Sequence, residues 1–146
     1  YADCIQSVDR IELAEKLQRR LEYENKSIDI FIQVNTSYED SKFGVDPDLA
    51  LQLARDIKPY DRLNITGLMT IGLFSTEADR VRKCFQRLRN VQSQLLDHGF
   101  QTHEMSMGMS GDLEIAIQEG ATIIRIGTAI FGHRIYPDSY YWNESK

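Results

Sequence analysis

Two short stretches near the carboxyl end of the sequence hold the side chains best suited to gripping an anion. Met107-Gly108-Met109-Ser110-Gly111 offers a hydroxyl and two glycines where a strand pattern gives way to a helical one. Ile126-Gly127-Thr128 offers glycine and a hydroxyl one strand later. The leading N–H groups of a helix lack intrahelical acceptors and the helix dipole favours negative charge, so adjacent starts of this kind can cradle a phosphate. Glycine and serine are equally the residues that turns require, and both readings stay open at this point. Arg125 is a further clue, because it interrupts an apolar run (Ile123, Ile124, Ile126) where an unpaired cation is costly. It either faces solvent at the alternating position or reaches the mouth of a site to meet a ligand or carboxylate. Lys42 lies in a long polar loop, residues 35–46. Such loops are often functional, although a surface lysine is ordinarily just solvated.

Other reactive side chains lack a chemical arrangement. His98, His103 and His133 show no spacing suited to a metal site or a catalytic triad. Met105, Met107 and Met109 alternate as packing residues on one strand face would. Two cysteines, Cys4 and Cys84, are too few for a disulfide framework and lack ligand spacing, so a reducing, cytoplasmic setting is expected. The 17 basic and 22 acidic side chains give a net charge of -5, without the basic excess of a nucleic-acid binder. No apolar run approaches the ~18 residues that span a bilayer, and no secretory leader is evident.

These residues need a scaffold, and the 146-residue length suits one domain. Residues 3–8 read as a short strand, and Asp9 with Glu12 has the spacing of a capping box. Ile11, Ala14, Leu17 and Leu21 then mark a helical face. Residues 28–34 (IDIFIQV) read as a buried strand. Asp46-Pro47 opens a second helix with Ala50, Leu53, Ala54 and Ile57 inward. Residues 64–71 form a third strand, and Ser75 or Thr76 caps a long helix that buries Ala78, Val81, Phe85, Leu88 and Leu95 before Gly99. Residues 104–109 form a fourth strand. Ser110 marks the start of a short helix with Leu113, Ala116 and Ile117 inward, and residues 122–126 form a fifth strand. The alternation predicts five parallel strands with four helices, either an open doubly wound sheet or part of a (β/α)8 barrel. In both, ligands bind beyond the carboxyl ends of the strands.

Several rim segments together resemble a known family. Gln33-Val34-Asn35-Thr36-Ser37, Ser41-Lys42-Phe43-Gly44, Gly67-Leu68-Met69-Thr70, Ser106-Met107-Gly108-Met109-Ser110 and Arg125-Ile126-Gly127-Thr128-Ala129-Ile130-Phe131-Gly132 resemble, in order, the pyridoxal-phosphate homeostasis proteins. These are also called proline synthetase co-transcribed homologues, and they share the alanine racemase N-terminal-like barrel. The resemblance implies binding of pyridoxal 5'-phosphate, a part in amino-acid and keto-acid balance, and no well-established turnover. It implies that Ser110, Gly127 and Thr128 hold the phosphate, with Met109 beside them. Arg125 would lie near the pyridine nitrogen, and Lys42 matches a family lysine near the site.

The departures are equally informative. The family's first strand carries a Schiff-base lysine and a later segment an aromatic-His motif, and this sequence contains neither. With the opening Tyr1-Ala2-Asp3 in place of Met, this suggests the carboxy-terminal part of a single barrel domain across residues 1–146. A complete barrel normally needs ~250 residues. Two alternatives remain: a fragment of a racemase-like enzyme using the same cofactor, or an α/β module for another phosphate ester.

Overall fold

β-Branched and aromatic side chains fit a pleated surface, and the runs that carry them form one sheet. The computed structural model describes residues 2–39 and 43–133. Within them β1 (Cys4–Val8), β2 (Ile28–Gln33), β3 (Leu63–Met69), β4 (Glu104–Met109) and β5 (Ile123–Arg125) neighbour one another in chain order. Every pairing is parallel. Helices α1 (Ile11–Glu24), α2 (Ala50–Ile57), α3 (Ala78–Asp97) and α4 (Leu113–Gln118) make the crossovers, and one helical turn, α5 (Thr128–Phe131), follows β5. Of the two closures that the alternation leaves open, this is the half-barrel, the one that the family resemblance implies.

One contact shows that the sheet is curled. Gln6 on β1 and Ser106 on β4 meet at 2.8 Å between Oε1 and Oγ. At ~4.8 Å per strand, their backbones would lie roughly 14 Å apart on a flat sheet, beyond the joint reach of the two side chains. The strands must therefore wrap around a concave face, as barrel strands do.

The convex face holds the apolar core. Ile30 and Ile32 on β2, Leu68 on β3, and Met105 and Met107 on β4 pack with Ala14, Leu53, Ile57, Val81, Phe85 and Leu88 of the helices. Asp46 opens the second crossover as expected, its carboxylate accepting from the Asp48 amide at 2.8 Å ahead of a 3-10 turn (Pro47–Leu49). All four expected inward residues of α2 are buried. Gly99 closes α3 with a φ of +82°, a conformation that costs glycine little. Among the described residues no helix is long and apolar enough to cross a membrane.

Several local expectations are corrected. Asp9 does not cap α1, which starts at Ile11 after an uncapped Arg10. Its carboxylate instead lies 2.5 Å from the Arg10 guanidinium, a charged partner stronger than a helix amide. Neither Ser75 nor Thr76 occupies the N-cap of α3, which falls at Glu77. Ser75 Oγ accepts from the Glu77 amide at 3.1 Å, forming a turn just before the helix. Ala78 is exposed at the first position of α3. Ile117, expected inward, is 54% exposed. Helix α4 has only six residues, under two turns, so its inward face is Ala116 with help from Ile115.

These assignments predict a contrast between two truncations. Leu88→Ala removes a fully buried side chain and should cost about 2–5 kcal/mol in urea unfolding. Ile117→Ala should stay within about 0.5 kcal/mol of the parent. Equal effects would contradict the core assignment.

Candidate functional site

The loops that follow β4 and β5 leave the same end of the sheet and enclose a cleft of ≈ 680 Å³. That size suits a small molecule. Met109, Ser110, Asp112, Arg125, Gly127 and Thr128 all line it, with Leu73 and Phe74 on the apolar side. Every described residue expected at the site is therefore brought together. Lys42 lies outside the described residues.

Two contacts join the loops. The turn after β4 closes where the Met109 amide donates to Asp112 Oδ1 at 2.6 Å. Ser110 Oγ then accepts from the Ala129 amide at 3.2 Å, tying that turn to the start of α5. The carboxylate of Asp112, at the N-cap position of α4, is thus bound to the strand end, while its carbonyl accepts the first helical hydrogen bond from the Ala116 amide. Gly108 sets how closely β4 approaches α4. It has a φ of +92°, and an added Cβ would lie 2.5 Å from the Ala116 Cβ. Gly127 is different in kind. Its φ is −113°, open to any residue, and an added Cβ would meet nothing within 4 Å. Neither strain nor packing within the protein demands glycine there. Its bare backbone leaves space at the cleft for something to approach the amides of Gly127 and Thr128.

Arg125 resolves toward the interior. Its Nη1 donates to Ser106 Oγ at 2.8 Å and its Nη2 to the Thr70 carbonyl at 2.7 Å. Thr70 Oγ1 in turn donates to the Val34 carbonyl at 2.8 Å and meets Thr36 Oγ1 at 2.9 Å. The Thr36 carbonyl accepts from Arg87 at 2.7 Å, and Arg87 stacks 4.6 Å from the Tyr38 ring centre. Polar contacts thus run from β5 across β4 and β3 to the loop after β2. Burial lowers the Arg125 pKa from its usual value, and the Asp112 charge acts in the opposite direction. The guanidinium has five donors, and two are engaged by these contacts. No carboxylate forms an ion pair with it among the described residues.

The alanine racemase N-terminal domain family matches residues 1–135. This chain belongs to that family. A member from Aquifex aeolicus, described as a pyridoxal phosphate homeostasis protein, is 39% identical over 133 residues, which is 90% of this chain and 58% of the relative. The structure of PipY from Synechococcus elongatus with pyridoxal phosphate bound is 32% identical, with a TM-score of 0.80 over 89% of this chain and 61% of that one. Alanine racemase from Clostridium difficile shares the fold, at 13% identity and a TM-score of 0.76 over 92% of this chain and 37% of its own. The chain thus spans less than two thirds of the relatives it matches.

In this member of the family, sequence reading missed Gln6, Thr70 and Asp112 as parts of the site's framework. Thr70 stood in a family-like segment, but nothing there marked it as a partner of Arg125, and Asp112 carried no signal beyond being a polar rim residue. Gln6 did carry one: an uncharged polar residue between Ile5 and Val8 on a strand. Among the described residues no group of three His, Cys, Asp or Glu side chains is placed to hold a metal ion.

The glycine geometry generates a direct test of how the site is built. Gly108→Ala should destabilise the protein by roughly 2 kcal/mol or more, through strain at positive φ and the Ala116 clash. Gly111→Ala meets open space and should be near neutral. Thermal melts of the two variants check this, and equal melting points would contradict the close β4–α4 approach.

Proposed function

We propose that this chain binds pyridoxal 5'-phosphate in the cleft beyond β4 and β5, as the carboxy-terminal portion of a pyridoxal-phosphate homeostasis protein of the cytoplasm. The observation that carries the reading is the convergence of Ser110, Gly127, Thr128 and Arg125 on one cleft. The Ser110 hydroxyl and the amides of Gly127 and Thr128 supply neutral donors for a phosphate. The open space at Gly127 fits close approach by such a group. Met109 provides part of the wall. Bound there, the cofactor would supply an aldehyde and an electron-withdrawing ring.

The role of Arg125 follows from its charge. A permanent cation beside the pyridine nitrogen disfavours protonating the ring, which weakens the ring as an electron sink. Phosphate contacts from the two loops and a ring contact from Arg125 are the holds that the described residues offer. Lys42 is proposed as a further contact on family resemblance alone.

The test is a fluorescence titration of the chain with pyridoxal phosphate, alongside an aliphatic phosphate monoester as competitor. Pyridoxal phosphate should bind more tightly than the competitor. Gly127→Val and Arg125→Glu should each weaken it by about tenfold or more, with unchanged circular dichroism. Normal binding by both variants would show that the site is elsewhere, and equal affinity for the two ligands would favour a general phosphate-ester module.

A further inference from the structure

The arginine of the cleft is held by contacts that begin at the far edge of the sheet. Gln6 Oε1 lies 2.8 Å from Ser106 Oγ, and Ser106 Oγ lies 2.8 Å from Arg125 Nη1. Arginine can only donate, so Ser106 accepts from Nη1. The hydroxyl has a single hydrogen, and Gln6 Oε1 is the acceptor that takes it. Gln6 therefore fixes the rotation of the hydroxyl and presents a lone pair to the guanidinium. On its other side Nη2 is fixed by the Thr70 carbonyl at 2.7 Å. Two anchors determine the plane of a group whose donors work only in a set orientation. Ser106 is fully buried, which excludes water as a substitute partner.

We infer that Gln6, acting through Ser106, is a positioning residue that sets the Arg125 guanidinium for the ring end of a bound pyridoxal phosphate, and thereby selects a heteroaromatic phosphate over a simple one. The inference rests on the cofactor reading of the cleft. Its logic is spatial separation. The phosphate donors sit on the loops after β4 and β5, whereas Gln6 lies on β1 and touches neither loop through its contact with Ser106. Removing the Gln6 acceptor should loosen the ring contact and leave the phosphate contact intact.

Gln6→Leu keeps the size of the side chain and removes the acceptor, at a half-buried position where folding should survive. Ser106→Ala removes the relay itself, and Ser106→Thr restores the hydroxyl. Affinities for pyridoxal phosphate and for inorganic phosphate are measured on each folded variant of the full 146-residue chain. Gln6→Leu and Ser106→Ala should lose about tenfold in pyridoxal phosphate affinity while inorganic phosphate changes less than about twofold. Ser106→Thr should bind as the parent does. The absorption spectrum of bound pyridoxal phosphate at fixed pH should shift in the first two variants only. Parallel loss of both ligands, or parental affinity and spectrum in Gln6→Leu, overturns the positioning role. A parent chain that binds both ligands equally overturns the cofactor reading instead, and the inference with it.

Discussion

Arg125 is a cation turned into the concave face of a curled sheet, and much of that face is arranged to hold it. A half-buried guanidinium loses part of its hydration, and the donors turned away from the cleft must recover their hydrogen bonds from the protein. Here the acceptors come from Ser106 on β4 and the Thr70 backbone just beyond β3. Gln6 on β1 takes the hydrogen of the Ser106 hydroxyl, and the Thr70 side chain is anchored to Val34 and Thr36 beyond β2. The contacts close only if the sheet is curled enough to bring β1 toward β4. Charge satisfaction and barrel curvature are therefore two aspects of one constraint. The convex face has no such demand and is filled with aliphatic and aromatic side chains.

The site is assembled from parts with different tolerances. Gly108 is required by the protein itself, since both its φ and the Ala116 contact exclude a side chain. Gly127 is required by nothing in the surrounding protein. Ser110 has a double position, lining the cleft while its hydroxyl oxygen accepts from the Ala129 amide. A hydroxyl that accepts from the protein still has its own hydrogen to donate. Ser110 can thus brace the two loops and offer a hydrogen bond to an anion. Farther out, Glu119 is buried between Arg82 at 2.7 Å and Arg89 at 3.3 Å, binding the end of α4 to α3. That contact holds the short α4 in place even though Ile117 does not enter the core.

The parallel order and the strand positions were readable from the sequence because periodicity and β-branched runs report burial directly. The inward faces of α2 and of most of α3 were readable for the same reason. Helix starts were read less well. Asp9 has the right spacing for a cap, but Arg10 beside it offers a charged competitor that spacing does not register. Ile117 matched a helical face, yet a helix of six residues cannot bury three positions. At the site, the motifs marked Ser110, Gly127 and Thr128, whereas the residues around Arg125 left open whether it faces solvent or the site. Its inward turn depends on partners at Thr70 and Ser106, 55 and 19 residues away in the chain. Gln6 is 100 residues from Ser106, and no local pattern connects them.

The most direct measurement is a crystal structure of the chain grown with pyridoxal phosphate. The account predicts the phosphate within hydrogen-bond distance of Ser110 Oγ and the amides of Gly127 and Thr128. It also predicts the ring nitrogen turned toward Arg125, with the Arg125–Ser106–Gln6 contacts retained. A phosphate bound outside this cleft, or a ring turned away from an Arg125 that has left Ser106, would contradict it.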